Sequence, residues 1–148
     1  MSPATIDDTA REFVAPPRSR IWRILVVDDE LTIRSSLSLL FSSRNVHVET
    51  ASSIEEALEA LQGLSFHLVI SDLHLDTGRT MGGGFDLISR IVENDPAAKV
   101  GLLTADPRPE FEAEARRRGA CAFWAKSLSI KELVAQVREL GIPVEIGR

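Results

Sequence analysis

The chain has 148 residues, one cysteine and a formal net charge of −5, from 17 basic and 22 acidic side chains. That length suits one domain able to bury a core without cross-links. A lone Cys121 excludes an intrachain disulfide and a cysteine-built zinc site, and the acid excess speaks against a nucleic-acid-binding domain. No apolar run approaches the roughly 18 residues of a membrane span. The acidic start MSPATIDDTAREF lacks the apolar stretch of a secretory signal, so a cytoplasmic location is expected.

Residues 1–20 read as a tail, with Pro3, Pro16 and Pro17 and no sustained period. Such a segment buries too little to offset its ordering entropy; it is a solvated arm or a docking arm. A folded unit is expected over 21–141, followed by a short tail, 142–148. Within it, five short apolar runs alternate with segments of helical period. The first run is Ile24–Val27, ended by Asp28 and Asp29. A helical face follows on Ile33, Leu37, Leu40 and Phe41. The second run is Val46–Ala51, and its helix carries Ile54, Ala57, Leu58 and Leu61. Ser53 and Glu56 form a capping-box pattern at that helix start, and Gly63 is the expected stop.

The third run, Phe66–Ile70, is ended by Ser71 and Asp72. The next helical face is Phe85, Ile88, Ile91 and Val92, closed by Asn94-Asp95-Pro96. The fourth run, Val100–Leu103, is ended by Thr104. In Pro109–Arg118 the acids Glu110, Glu112 and Glu114 precede Arg116, Arg117 and Arg118, the order a helix macrodipole favours, and Gly119 suits the position after the helix. That segment is a solvated face or a partner surface. The fifth run, Cys121–Ala125, is ended by Lys126. The last face is Ile130, Leu133, Val134 and Val137, with Ser129 and Glu132 as a second capping box.

Five such units in succession predict an α/β fold with a parallel sheet, helices on both faces, and continuous apolar strands buried on both sides. In such sheets ligands sit beyond the carboxyl ends of the strands. Those ends carry Asp28 and Asp29, Asp72, Thr104 and Lys126. Singly, each has an ordinary role: a cap, a turn residue, a surface lysine. Together they place three carboxylates, a hydroxyl and an ammonium at one edge. Two carboxylates about 4 Å apart repel by roughly 1 kcal/mol in water and about 4 kcal/mol at an effective dielectric near 20. The set therefore takes up protons or a cation, and oxygen donors without a cysteine or histidine cluster favour Mg²⁺ or Mn²⁺. A carboxylate can also be a nucleophile toward phosphorus.

On Asp28-Asp29 after ILVV, Asp72 after LVIS, Thr104-Ala105 after GLL and Lys126 after CAFWA, at separations of 43, 32 and 22 residues from Asp29 onward, the chain resembles a response-regulator receiver domain. The resemblance covers about residues 22–140. It implies a doubly wound (βα)5 flavodoxin-like fold with a five-stranded parallel sheet. It implies that Asp72 accepts a phosphoryl group from a sensor histidine kinase or a phosphotransfer protein. Asp28, Asp29, Asp72 and the backbone carbonyl of His74 would hold Mg²⁺ (or Mn²⁺), and Lys126 would pair with the phosphoryl group. Thr104 and Phe123 would form the switch that alters a protein-binding face for a downstream protein target. It allows a homodimer on phosphorylation. It implies a protein that catalyses only its own phosphoryl acceptance and loss, and so is not otherwise an enzyme. With only a short segment after Gly141, a stand-alone unit without a DNA-binding module is expected.

Three features depart from the family pattern. Ser127 replaces the usual proline, so a cis bond there is not expected. The connection Leu73–Gly84 is long and holds four glycines; it is a surface insertion, or Asp76 or Arg79 reaches the site. His74 stands two residues after Asp72, where an imidazole could orient water. His47 and His67 read as structural histidines, and neither Trp22 nor Trp124 is assigned a cofactor. Two other readings are a non-phosphorylated receiver-like interaction module and a haloacid-dehalogenase-like phosphatase. The adjacent aspartate pair does not fit the phosphatase, which wants two aspartates one residue apart.

Overall fold

A computed structural model describes residues 20–75 and 83–145. The strands are β1 (Trp22–Val27), β2 (Val46–Ala51), β3 (Leu68–Asp72), β4 (Lys99–Thr104) and β5 (Ala122–Ala125). The helices are α1 (Leu31–Phe41), α2 (Ile54–Gly63), α3 (Gly83–Asn94), α4 (Pro109–Arg118) and α5 (Ile130–Glu139). All neighbouring strands pair in parallel, in the order β2-β1-β3-β4-β5. The winding reverses at β1, so the crevice where a doubly wound sheet binds its ligand lies between the ends of β1 and β3.

Alternation along the strands explains why they read as unbroken apolar runs. Ile24 and Val26 of β1, Leu68 and Ile70 of β3 and Trp124 of β5 pack with Leu37 and Phe41 of α1 and Leu133, Val134 and Val137 of α5. Leu25, Val27, Val69, Val100 and Leu102 point the other way, onto Ala57 of α2, Leu87, Ile88 and Ile91 of α3 and Ala115 of α4. The central strands β1, β3 and β4 thus bury both faces between two helical layers, whereas the edge strand β2 buries only its ends, Val46 and Ala51. Trp124 needs a missing side chain opposite it. A Cβ on Gly101 of β4 would lie 2.6 Å from the indole, which donates its N–H to Gln136 Oε1 at 2.6 Å.

Several expectations need correction. Ile130, placed on the buried face of α5, is 62% exposed. Ile142 and Val144, beyond the expected domain end, are buried in the α1–α5 core. The third strand begins at Leu68 and includes Asp72, although Phe66 is buried ahead of it. Gly83 and Gly84 belong to the first turn of α3, not to a loop. The two serine caps form as expected, with Glu56 N–H and Glu132 N–H donating to Ser53 and Ser129 hydroxyls, each at 3.1 Å. The glutamates do not return the bond to the cap residue. Glu56 accepts from Ser52 instead, and Glu132 accepts from Gln136. Gly119 closes α4 at φ 116°, a conformation that glycine adopts without steric cost. Residues 1–19, Asp76 and Arg79 lie outside the described residues.

Candidate functional site

β1 stops because Asp28 turns the chain. Its N–H still donates to Ala51 O at 3.1 Å, continuing the ladder. Its Oδ1 then accepts Glu30 N–H at 2.8 Å, a local turn that competes with strand and opens α1. Asp28 is buried, whereas Asp29 and Glu30 beside it are exposed. Asp72 ends β3 at 6% exposure, and its Oδ1 accepts His74 N–H at 3.2 Å.

The first turn of α3 presses on this strand end. Gly84 N–H donates to Leu73 O at 3.0 Å and Gly83 N–H to Leu75 O at 3.3 Å. A Cβ on Gly84 would sit 2.6 Å from Asp72 O and 2.8 Å from Leu73 Cα, so only glycine permits the approach. Thr104 is fully buried at the end of β4, and its Oγ1 accepts Asp106 N–H at 3.0 Å. At the end of β5, Lys126 N–H donates to Thr104 O at 2.7 Å and Leu128 N–H to Ala125 O at 3.0 Å. That turn aims the lysine at the cluster with Ser127 where the family has proline, and there is no cis peptide bond among the described residues.

The Lys126 ammonium reaches back across β4. It lies 3.0 Å from Asp28 Oδ2, 3.2 Å from Glu30 Oε1 and 3.5 Å from Asp72 Oδ2. Burial alone would lower its pKa; the close contact and charge of Asp28, the charge of Asp72 and the hydrogen bond with Glu30 outweigh that and raise it. Burial pushes the Asp28 carboxyl up, with the Asp72 charge adding to it, while the Glu30 N–H and Lys126 act in the opposite direction.

Carboxylate oxygens of Asp28, Asp29 and Asp72 lie within 4.8 Å of one another. Asp28 Oδ2 is buried, and although Lys126 Nζ is close it makes no well-directed hydrogen bond. A buried lone pair left over among three carboxylates suits a hard cation, which answers both the repulsion and the unmet acceptor. The residues present therefore fit a divalent ion of the Mg²⁺ class.

The structure thus brings together Asp28, Asp29, Asp72 and Lys126, with Thr104 at the same edge but its hydroxyl oxygen engaged by its own loop. Phe123 is half-buried against the α2–α4 core. The His74 ring meets Phe111 of α4 edge-on, with centroids 5.8 Å apart. Glu30 was missed by sequence reasoning, although it is the third acid in a row after β1. His67 is structural, as expected: Nδ1 accepts Arg23 N–H at 3.0 Å and the ring packs on Trp22.

Residues 24–138 match the family model described as the response regulator receiver domain. The chain belongs to this family. Among curated receiver-containing relatives, it is 30% identical over 124 residues to the response regulator protein PilR of Pseudomonas aeruginosa, covering 82% of this chain and 27% of PilR. It is 29% identical over 116 residues to the transcriptional regulatory protein FixJ of Bradyrhizobium diazoefficiens, covering 77% of this chain and 54% of FixJ. The chain thus spans only a quarter to a half of the length of these relatives. Among solved structures, the signal receiver domain of an HD domain-containing protein from Pseudomonas fluorescens superposes with a TM-score of 0.73 at 29% identity, covering 82% of this chain and 94% of that one. A CheY-like receiver domain from Methanospirillum hungatei gives 0.74 at 25% identity, with the same coverages. The receiver family and the flavodoxin-like (βα)5 fold expected from the sequence are both borne out. No helix among the described residues is long and apolar enough to cross a membrane.

Proposed function

We propose that this receiver domain is a phosphorylation switch in which Asp72 takes a phosphoryl group from a phosphohistidine of a sensor kinase or phosphotransfer protein. An Asp72 carboxylate oxygen forms the bond to phosphorus while the phosphorus–nitrogen bond breaks. The imidazole nitrogen keeps the bonding pair. Loss of the group is attack by water on phosphorus, releasing inorganic phosphate and the carboxylate. The single observation that carries this reading is the convergence of the Lys126 ammonium on Asp28 and Asp72 at one strand edge.

Asp28, Asp29 and Asp72, with the His74 carbonyl as a further donor, would hold Mg²⁺; its charge neutralises the carboxylates and the incoming phosphoryl oxygens. Lys126 supplies a fixed cation for those oxygens, and the Thr104 hydroxyl supplies a donor once it turns from Asp106. Phe123 then repacks beside α4, so that a charge change at Asp72 is read as a change of protein-binding surface. In this reading the domain turns over no other substrate, acts in the cytoplasm and meets its target by protein contact. What supports acceptance of phosphate over a phosphate-free interaction module is that the lysine is held among carboxylates rather than left in solvent: its side chain is 16% exposed.

The test is phosphotransfer from a phosphorylated histidine phosphotransfer domain in the presence of Mg²⁺. The label should move to this chain and not to Asp72→Asn. Transfer to the variant would refute the assignment of Asp72.

A further inference from the structure

We infer that Arg34 of α1 is a positioning residue for the metal-holding loop, an inference that rests on the phosphorylation reading above. Its Nη1 donates to the backbone carbonyl of Asp28 at 2.8 Å, spanning six residues. That carbonyl lies at the point where the chain leaves β1 and turns toward Asp29. Among the described residues, besides the Lys126 ammonium at the side chains of Asp28 and Glu30, the loop has two restraints that use backbone N–H groups, Asp28 N–H to Ala51 O and Glu30 N–H to Asp28 Oδ1. One of these holds the entry to the turn, and the other holds the Asp28 side chain to Glu30. Among the described residues, Arg34 alone grips the peptide between Asp28 and Asp29, whose orientation sets where the Asp29 carboxylate falls relative to Asp28 and Asp72.

The anchor is stiff at its other end. Arg34 N–H donates to Glu30 O at 3.2 Å, the first backbone bond of α1, and α1 is packed to the sheet through Leu37 and Phe41. The guanidinium therefore ties the loop to an element that does not move with it. This matters because Asp29 is exposed, whereas Asp28 and Asp72 are buried. Groups that orient the first ligands of a metal, without touching the metal, typically change its affinity by about 10–100-fold when removed.

Electrostatics and positioning give opposite signs here, which makes the inference testable. Arg34 is a cation close to an acidic site, so its charge alone opposes a divalent ion. Neutralising it would tighten binding if charge were its only influence. If it holds the loop, neutralising it weakens binding.

The experiment is a calorimetric titration of the full chain with Mg²⁺ alone. Wild type is compared with Arg34→Gln, Arg34→Lys and Asp29→Asn, with melting in chelator confirming that each is folded. Arg34→Gln should weaken Mg²⁺ about tenfold, and Arg34→Lys, which keeps a donor of similar reach, should bind close to wild type. Equal or tighter binding by Arg34→Gln overturns the inference while leaving the metal site intact. Absence of binding by wild type, or an Asp29→Asn variant that binds unchanged, overturns the metal reading and the inference with it. Should Arg34→Gln not fold, the side-chain nitrogen resonances of Arg34 in the wild type decide. Separate, slowly exchanging signals are expected for a held guanidinium, and a single averaged signal overturns the proposal.

Discussion

The Lys126 ammonium stands closer to Asp28 than to Asp72, at 3.0 Å against 3.5 Å. The lysine therefore serves first as the counter-charge of buried Asp28 and only second as a partner for Asp72. Among the described residues, Asp28, Asp29, Glu30 and Asp72 gather around Lys126, with the Arg34 guanidinium on the Asp28 carbonyl, so the edge carries an excess of negative charge.

Asp72→Asn should consequently stabilise the metal-free protein. The amide oxygen can still accept His74 N–H, and the bond given up to Lys126 is its longest. Relief of repulsion is worth about 1 kcal/mol. The measurement is denaturant unfolding in chelator. The variant should also lose most of the stabilisation that Mg²⁺ gives to wild type by mass action. A less stable variant in chelator would argue against a repulsive cluster.

Lys126→Met should have the opposite effect. It leaves Asp28 Oδ2 buried without the ammonium beside it, at a cost of about 1–3 kcal/mol at neutral pH. Burial, the largest influence on it, already raises the Asp28 carboxyl above its ordinary value. Acidification therefore protonates it and shrinks the difference between variant and wild type. A difference that stayed constant from pH 7 to pH 4 would contradict this role.

Gly84→Ala tests the contact between α3 and the end of β3. The added methyl meets backbone atoms of Asp72 and Leu73, which cannot swing aside as a side chain would. A loss of about 1–3 kcal/mol is expected, together with weaker Mg²⁺ binding, because the strand end that carries Asp72 must shift. Unchanged melting would show that the helix start yields instead.

His67 gives a pH dependence remote from the site. Burial first, then Arg20 and Arg23, hold its pKa below the ordinary value near 6.5. Its Nδ1 must be unprotonated to accept Arg23 N–H. The folded state thus disfavours the proton, so the contribution of His67 is present above pH 6.5 and is lost as pH falls through the lowered value. Wild type should lose stability relative to His67→Gln over that window. Parallel curves for the two proteins would exclude the effect.

Much of this was legible in the sequence, because burial on both faces leaves continuous apolar runs and the residues that end them stand at the ligand edge. What was not legible came from contacts with no local signature. Ile130 occupies a helical-period position but lies at the first turn of α5, outside the reach of the core, whereas Ile142 and Val144 fall beyond any helix and are covered by tertiary packing alone. Gly83 and Gly84 looked like loop residues because glycine is a weak helix former; the close approach to Asp72 overrides that preference. Glu30 reaches Lys126 across 96 residues of sequence, which no spacing rule could reveal.

The most direct test of the central claim is the intact mass of the protein after incubation with Mg²⁺ and acetyl phosphate. One hydroxylamine-labile phosphoryl group is expected on wild type, and none after chelation or in Asp72→Asn. An unmodified wild type, or a modified Asp72→Asn, would contradict the account.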